Sequence, residues 1–303
     1  MKALSVALIS RDNGVGLTAD MQLLDAMLTK AGHTVSRVEW TDHAMPHVDV
    51  GMFLELWNPR LARYARKTVG IFNLEWFQSA WSRDLPRLNQ LWAKSIESHA
   101  VYSQRMRLRS STLTGFLSRD LNDPSVLRQK TALHLRGHSD FKNTHAVIDA
   151  WRVNPGLPPL TIISSVPLEV PSHVRVLGRV SDEQLRHEMN SATFHICPSR
   201  AEGWGHYITE ALSVGGVVIT TNASPMNEHV HPDWGVLVNP TRATRHGMVT
   251  VYGVSARVLG DAVEHAQAIP DDRLDFMRSK ARAHFDFRNA RFRETALELL
   301  ERI

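Results

Sequence analysis

Cysteine is almost missing from this chain of 303 residues, the one example being Cys197. No intrachain disulfide can form, and a cage of cysteine ligands around a metal is excluded. A reducing, cytoplasmic compartment is the expectation. Long apolar runs are missing too. Nowhere do about 18 apolar residues follow one another, so no transmembrane helix is expected. The opening MKALSVALIS is apolar only as far as Arg11 and Asp12 and has no small-residue cleavage site. It reads as a first β-strand, not a signal peptide. No internal repeat of about 20–50 residues and no low-complexity tract occurs, which argues against a solenoid.

What is present is a globular composition, 43% hydrophobic and 22% charged, in a length that fits two ordinary domains. The net charge is +4 with a pI near 9.4, and it is unevenly spread. Residues 1–128 hold 16 Lys/Arg against 12 Asp/Glu, whereas residues 129–303 hold 19 of each. The surplus gathers in Arg60, Arg63, Arg66, Lys67 and in Arg105, Arg107, Arg109. Two readings stand: a solvated basic surface, or a face for an anionic partner such as nucleic acid, acidic lipid or a phosphorylated substrate.

Short apolar runs alternate with helical patterns along the whole chain. Lys2 to Ser10, HTVSRVEW, DVGMFLE, TVGIFNL and HAVYS (99–103) read as strands of a first domain. Thr18 is the expected cap of the first helix, and a basic helix is expected between DVGMFLE and TVGIFNL. The polar, proline-containing stretch 118–130 reads as a linker. TALHLRG, LTIISS, VRVLG, FHICPS and VVITT then restart the pattern, with Thr144 to Trp151 and DEQLRHEMNSA as helices, the second capped by Ser181 or Asp182. From Ser255 the chain is mostly helical, ending in an amphipathic stretch, Asn289 to Ile303. The expected fold class is α/β. Two Rossmann-like doubly wound parallel-sheet domains, 1–128 and 129–285, face a central cleft, with a final helix, 286–303, packing back on the first domain.

The most informative stretch is HICPSRAEGWGHYITEALSVGGVVITTNASPMNEHV, residues 195–230. A strand ends at Cys197, and a loop carries Glu202, Gly203, Trp204 and Gly205. A helix then runs through Glu210 and Ala211 and stops at Gly215-Gly216, where a second strand begins. The loop lies at the carboxyl end of a strand, where open α/β sheets bind ligands. Backbone N–H groups exposed by Gly203 and Gly205 at the helix start can face a phosphate ligand.

EGWGHYITEA resembles the E-x7-E motif of retaining glycosyltransferases of the GT-B fold, family 4, and the flanking residues support the likeness over about 131–240. The resemblance implies a nucleotide-diphosphate-sugar donor, UDP- or GDP-linked. It implies Glu210 on the ribose hydroxyls, and Glu202 beside the transferred sugar and the positive charge growing at its anomeric carbon. Lys142 matches the family's lysine after the first strand of the second domain. The family's arginine directly after the glycine is His138 here, with Arg136 before the glycine as the other candidate. No Asp-x-Asp pair occurs, in keeping with a family in which side chains, not a metal, neutralise the leaving diphosphate. Where several members carry an acceptor-side histidine, this sequence has GIFNLEW, so Asn73 and Glu75 are the candidates there. His206-Tyr207 replaces an apolar residue and a frequent proline, leaving the donor sugar open.

Other readings remain beside this one. NGVGLTA carries Gly14 and Gly16 as G-x-G-x-x-A with Glu39 downstream, close to a dinucleotide fingerprint; GT-B domains also have glycines in that loop, touching acceptor or phosphate. The 16 histidines show no helix-face pairing backed by carboxylates, so no metal site is expected. Trp76, Trp81 and Trp92 read as core, and Cys197 as a small buried hydrophobe. The acceptor is open among glycans, lipids, small molecules and DNA carrying hydroxymethylated bases, as in phage base-modifying enzymes. The rival from another class is a non-catalytic nucleotide-sugar-binding or interaction module, and a more distant one is an NAD-type enzyme.

Overall fold

The computed structural model describes residues 2–14, 16–108, 110–137 and 139–303. Arg109 and His138 lie outside these residues, as does the side chain of Arg105. The chain divides into two compact units: unit 1, residues 1–118 with 288–303, and unit 2, residues 119–287. Residues 119–128, which the sequence groups with the first domain, are therefore in unit 2. Among the described residues no helix is long and apolar enough to cross a membrane.

Unit 1 runs β1 (Ser5–Ser10), α1 (Gly16–Lys30), β2 (Thr34–Glu39), β3 (Val48–Leu54), α2 (Pro59–Ala62), β4 (Ala65–Ile71), β5 (Gln90–Ala93), α3 (Ile96–Ala100) and β6 (Ser111–Leu113). Its strands form a parallel sheet in the order β2-β1-β3-β4-β5-β6. Successive strands leave in opposite directions from β1, so the switch point lies between β1 and β3. The central strands are buried on both faces, Val6 to Ile9 completely, which is why they read as unbroken apolar runs. The end of the chain belongs here too. Phe292 packs 5.2 Å from the Phe116 ring and 6.2 Å from Trp92, Gln90 donates to the Leu299 carbonyl at 2.9 Å, and Asn289 bonds both backbone groups of Ser118.

Three local expectations are corrected in this unit. HAVYS is not a strand: α3 continues as a π-helical turn through Val101–Arg105. A reciprocal Ser95/Ser98 capping box starts it. Ser98, Val101 and Tyr102 are buried at helical spacing, so the alternation of apolar residues that suggested a strand is one side of a helix. The real strand there, β5, has four residues, too few to show a period. Thr18 is not a cap but lies in the first turn of α1, its hydroxyl bonded to Asp12. Of the three tryptophans, Trp81 and Trp92 are core, whereas Trp76 is 55% exposed.

Unit 2 runs β7 (Gln129–Leu135), α4 (Thr144–Val153), β8 (Leu160–Ile163), β9 (Arg175–Leu177), α5 (Asp182–Ser191), β10 (Ala192–Cys197), α6 (His206–Ser213), β11 (Val217–Thr221), β12 (Gly235–Val238), a hairpin of β13 (Arg242–His246) and β14 (Val249–Gly253), α7 (Ala256–Gln267) and α8 (Asp271–Glu301), whose last part counts with unit 1. The parallel order is β12-β11-β10-β7-β8-β9. One face is covered by a core around Trp151, Phe194 and Leu259, the other by Met189, Ile208 and Phe285. Ser181 caps α5 through the Gln184 N–H. Close packing fixes Gly216: a Cβ there would lie 2.2 Å from the buried His195 ring. The order reverses between β7 and β10, so the loops leaving these two strands flank the crevice where such sheets take ligands.

Candidate functional site

Those two loops carry the main candidates in unit 2. After β7 the chain makes a 3-10 turn, Asp140–Lys142, and Asn143 adopts a left-handed conformation (φ 58°) that opens α4. After β10 it forms the loop 198–205, and Gly205 (φ 89°) opens α6. A residue with a Cβ is disfavoured in that conformation, and its Cβ would also meet Ile208 Cδ1 at 3.3 Å. The loops are tied to each other and to β14. Arg200 N–H donates to Phe141 O at 2.7 Å, Tyr252 N–H to Arg200 O at 2.8 Å, and Asn143 Nδ2 to Val254 O at 3.0 Å.

On this frame Lys142 Nζ lies 2.6 Å from Glu202 Oε1, with 16% and 12% of the two side chains exposed. The ammonium also sits 3.6 Å from the centroid of the Tyr207 ring. Ser199 Oγ donates to Glu202 Oε1 and is bonded to the Tyr207 hydroxyl. Burial pushes the Tyr207 phenol far above its ordinary pKa, so it stays protonated. A cation, a carboxylate and two hydroxyls thus converge at the switch point. An ammonium with three donors can bind a second anion without releasing the first.

The other candidates take different surroundings. Glu210 is buried in α6, and its Oε1 accepts from Arg119 Nε at 2.7 Å. Trp204 is buried edge-on against His229, their centroids 4.5 Å apart, and its carbonyl accepts from His229 Nε2. Gly203 is buried beside it. Arg136 turns onto its own loop, donating to Gly137 O at 3.0 Å and pairing with Asp140 at 3.4 Å. The Cys197 thiol is raised out of reactive range by burial.

In unit 1, Asn73 follows β4 and Glu75 lies in the 3-10 turn Leu74–Trp76. Asn73 Nδ2 donates to Glu55 Oε2 at 2.8 Å. Glu55 follows β3 in a left-handed conformation (φ 63°). Burial raises its carboxyl pKa, opposed by the Asn73 hydrogen bond and by Lys94. Lys94, after β5, pairs with Asp20 of α1 at 2.6 Å, both side chains 3% exposed. Gly14 (φ 66°) and Gly16 have open space where a Cβ would stand, and the Gly14 N–H is held by Asp12 at 3.0 Å.

Two residues escaped the sequence reading. Arg119 sits in a polar stretch that looks like a linker, and only the need of a buried glutamate for a cation could have pointed to it. Glu55 looks like the end of a strand, and nothing local marks its turn inward.

Residues 166–246 match the sequence profile of the family described as "Glycosyl transferases group 1". Solved structures resemble the chain over its whole length. HepE from Anabaena, in complex with UDP and glucose, is 15% identical with a TM-score of 0.74, covering 99% of this chain and 100% of that one. A glycosyltransferase from Rickettsia africae is 12% identical, TM-score 0.76, covering 99% and 98%. Sucrose-phosphate synthase from Thermosynechococcus elongatus is 13% identical, TM-score 0.74, covering 98% of both chains. The fold is GT-B. By sequence, no curated protein matches the chain. The profile match begins after Arg136 and Lys142 but includes Glu202 and Glu210, so two of the four charged candidates of unit 2 lie in the matched segment.

Proposed function

We propose that this GT-B chain is a retaining glycosyltransferase that moves a sugar from a nucleotide-diphosphate donor to an acceptor hydroxyl, with side chains instead of a metal neutralising the leaving group. The observation that carries the reading is the meeting of Lys142 with Glu202 at the switch point of unit 2, on the loop that leads into α6, where Glu210 makes its own ion pair with Arg119. The family-profile match and the UDP-bound HepE neighbour support a UDP-type donor.

In this reading Glu210 accepts hydrogen bonds from the ribose diol. Lys142 keeps Glu202 and adds a diphosphate oxygen. As the bond from the anomeric carbon to phosphate oxygen breaks, negative charge grows on the diphosphate beside Lys142. Positive charge grows on the anomeric carbon, where Glu202 stabilises it; electrostatic help of this kind is a large part of catalysis. The acceptor oxygen forms the new bond on the face that the diphosphate leaves. Its proton passes to the departing phosphate oxygen, or to Glu75 with Asn73 holding the acceptor. Arg136 would swing from Asp140 to the diphosphate, Gly14 and Gly16 would line the acceptor side, and Gly203, Trp204 and Gly205 shape the sugar pocket.

The positive surplus of residues 1–128 supports one acceptor in particular, DNA with hydroxymethylated bases. Arg60, Arg63 and Arg66 are exposed around the start of β4, where phosphates could lie, and an extruded base would reach the other end of the strand.

A panel of nucleotide sugars in a thermal-shift assay, followed by transfer assays with the best donor, tests the reading. A stabilising donor that is turned over supports it, and the turnover should survive EDTA. A donor bound but never turned over with any acceptor class identifies a binding module instead, and stabilisation by NAD alone an NAD-type protein. DNA binding that weakens steeply with salt supports the DNA acceptor; no binding at low salt leaves glycans, lipids and small molecules.

A further inference from the structure

Glu210 is 4% exposed, and a buried carboxylate keeps its charge only beside a partner. That partner comes from outside its helix. Arg119 is the first residue of unit 2, and the segment behind it is stitched along α5 and α6. Leu121 N–H donates to Ser213 Oγ at 3.0 Å, Asn190 Nδ2 to Leu121 O at 2.8 Å and Asp123 N–H to Asn190 Oδ1 at 2.9 Å. Asp120 is clamped by both Nη groups of Arg282. The backbone that follows Arg119 is therefore tied to α5, α6 and α8.

Only Nε of Arg119 is spent on Glu210, and it reaches Oε1 alone. Among the described residues nothing bonds Oε2. Burial works against the guanidinium charge, but the Glu210 carboxylate outweighs it and raises the Arg119 pKa. The carboxylate thus keeps the guanidinium charged. Asp182, 4.0 Å from Nη1 and 97% exposed, adds little, as exposed pairs do.

We propose that Arg119 is the positioning residue of the donor site: it holds Glu210 as a carboxylate with one oxygen committed to itself and the other left for the ribose hydroxyls. This rests on the donor-site reading of Glu210. Arg119 acts through Glu210 and need not touch the donor. Without it, the buried carboxylate loses its counter-charge, and the oxygen that faces the ribose is no longer held in place. A hydrogen bond to a charged group is worth enough to change affinity about tenfold or more.

The test compares UDP with 2′,3′-dideoxy-UDP by titration calorimetry on the full chain and its variants. The native chain should prefer UDP about tenfold or more. Arg119→Gln should lose most of that preference and bind the dideoxy nucleotide within about twofold of the native chain. Glu210→Gln should lose the preference as well, and Arg119→Lys, which keeps the charge, should restore most of it. Arg119→Gln with native preference beside a Glu210→Gln variant that has lost it overturns the role of Arg119 and leaves the donor site standing. Arg119→Gln that binds both nucleotides far more weakly than the native chain binds the dideoxy nucleotide overturns it as well, since the arginine would then serve the phosphates or the fold. Glu210→Gln with native preference overturns the donor-site reading and this inference with it. Should Arg119→Gln not fold, the lysine variant decides: loss of the preference in it contradicts the proposal.

Discussion

Both units end their sheets in paired charges, yet the pairs are built for different conditions. In unit 1, Lys94 and Asp20 are sealed, each 3% exposed, and Glu55 beside them is held by an amide. In unit 2, Lys142 and Glu202 keep 16% and 12% of their side chains open, and Arg119 keeps 36%. A sealed pair has no face for a ligand and contributes to the fold through complementarity. A pair at the surface of a crevice is stable enough to be ordered and open enough to admit a third charge. The difference teaches where to look for binding: at ion pairs that are ordered but not enclosed.

Breaking one partner of each pair should separate these roles. The largest loss of stability is expected for Lys94→Met, which takes the buried ammonium away from Asp20. Removing one member of a buried pair costs about 3–5 kcal/mol, readable as a lower denaturation midpoint at unchanged slope. A midpoint within experimental error of the native chain's would show that the Lys94–Asp20 pair contributes little to the fold. Lys142→Ala should do the opposite, sparing most of the stability while slowing sugar transfer about 100-fold or more, the effect of losing one electrostatic contact at a developing charge. Transfer at the native rate by Lys142→Ala would remove Lys142 from the mechanism.

The same contrast governs how far the sequence could be read. Strands β10 and β11, buried on both faces, announce themselves as the apolar runs FHICPS and VVITT, and EGWGHYITEA between them carries its glycines and glutamates in one local stretch. Lys142 lies sixty residues from Glu202 in the chain but at the end of the neighbouring strand, so strand order alone brings them together. Unit 1 has no such economy. Its charged groups follow β3, β4 and β5 and a turn of α1, and Glu55 enters the cluster only because its backbone turns left-handed. Strand β5 is too short for a period, and HAVYS carries an apolar pattern that fits helix and strand alike. Arg119 is legible only from its partner, and β13, exposed along its whole length, has no buried side to set an alternation.

Acid should weaken unit 2 through groups that take no part in either pair. His134 is fully buried with its ring nitrogens on Ile196 O and Thr144 Oγ1, and burial lowers its pKa to about 4. His195, enclosed beside Gly216, is lowered to about 3 by burial and by Arg128. Both folded values lie below the unfolded 6.5, so the unfolded chain binds protons first. Their contribution is full above about pH 6.5 and is lost as pH falls toward 4, by up to about 1.4 kcal/mol per pH unit for each histidine. Denaturation midpoints measured across that window should fall, and His134→Gln should flatten the fall. An unchanged pH slope in that variant would mean that His134 is already charged in the fold.

The smallest effect is expected where a charge is removed from unit 1 without leaving a partner stranded. Glu55 has its carboxyl pKa raised by burial, the reverse of a carboxylate stabilised by an ion pair. Its folded form binds a proton more readily than its unfolded form, so its contribution grows as pH falls through the raised value and is lost above it. Glu55→Gln keeps an acceptor for Asn73 Nδ2 and removes a buried charge, while Lys94 retains Asp20. Its stability near pH 7 should match the native chain's or exceed it by up to about 1 kcal/mol. Glu202→Gln, by contrast, takes the counter-charge from the partly open Lys142 and should lose a little stability under the same conditions, far less than Lys94→Met. A loss of stability in Glu55→Gln as large as that in Glu202→Gln would mean that Lys94 depends on Glu55 as much as on Asp20, and the distinction between a sealed pair and an open one would fail.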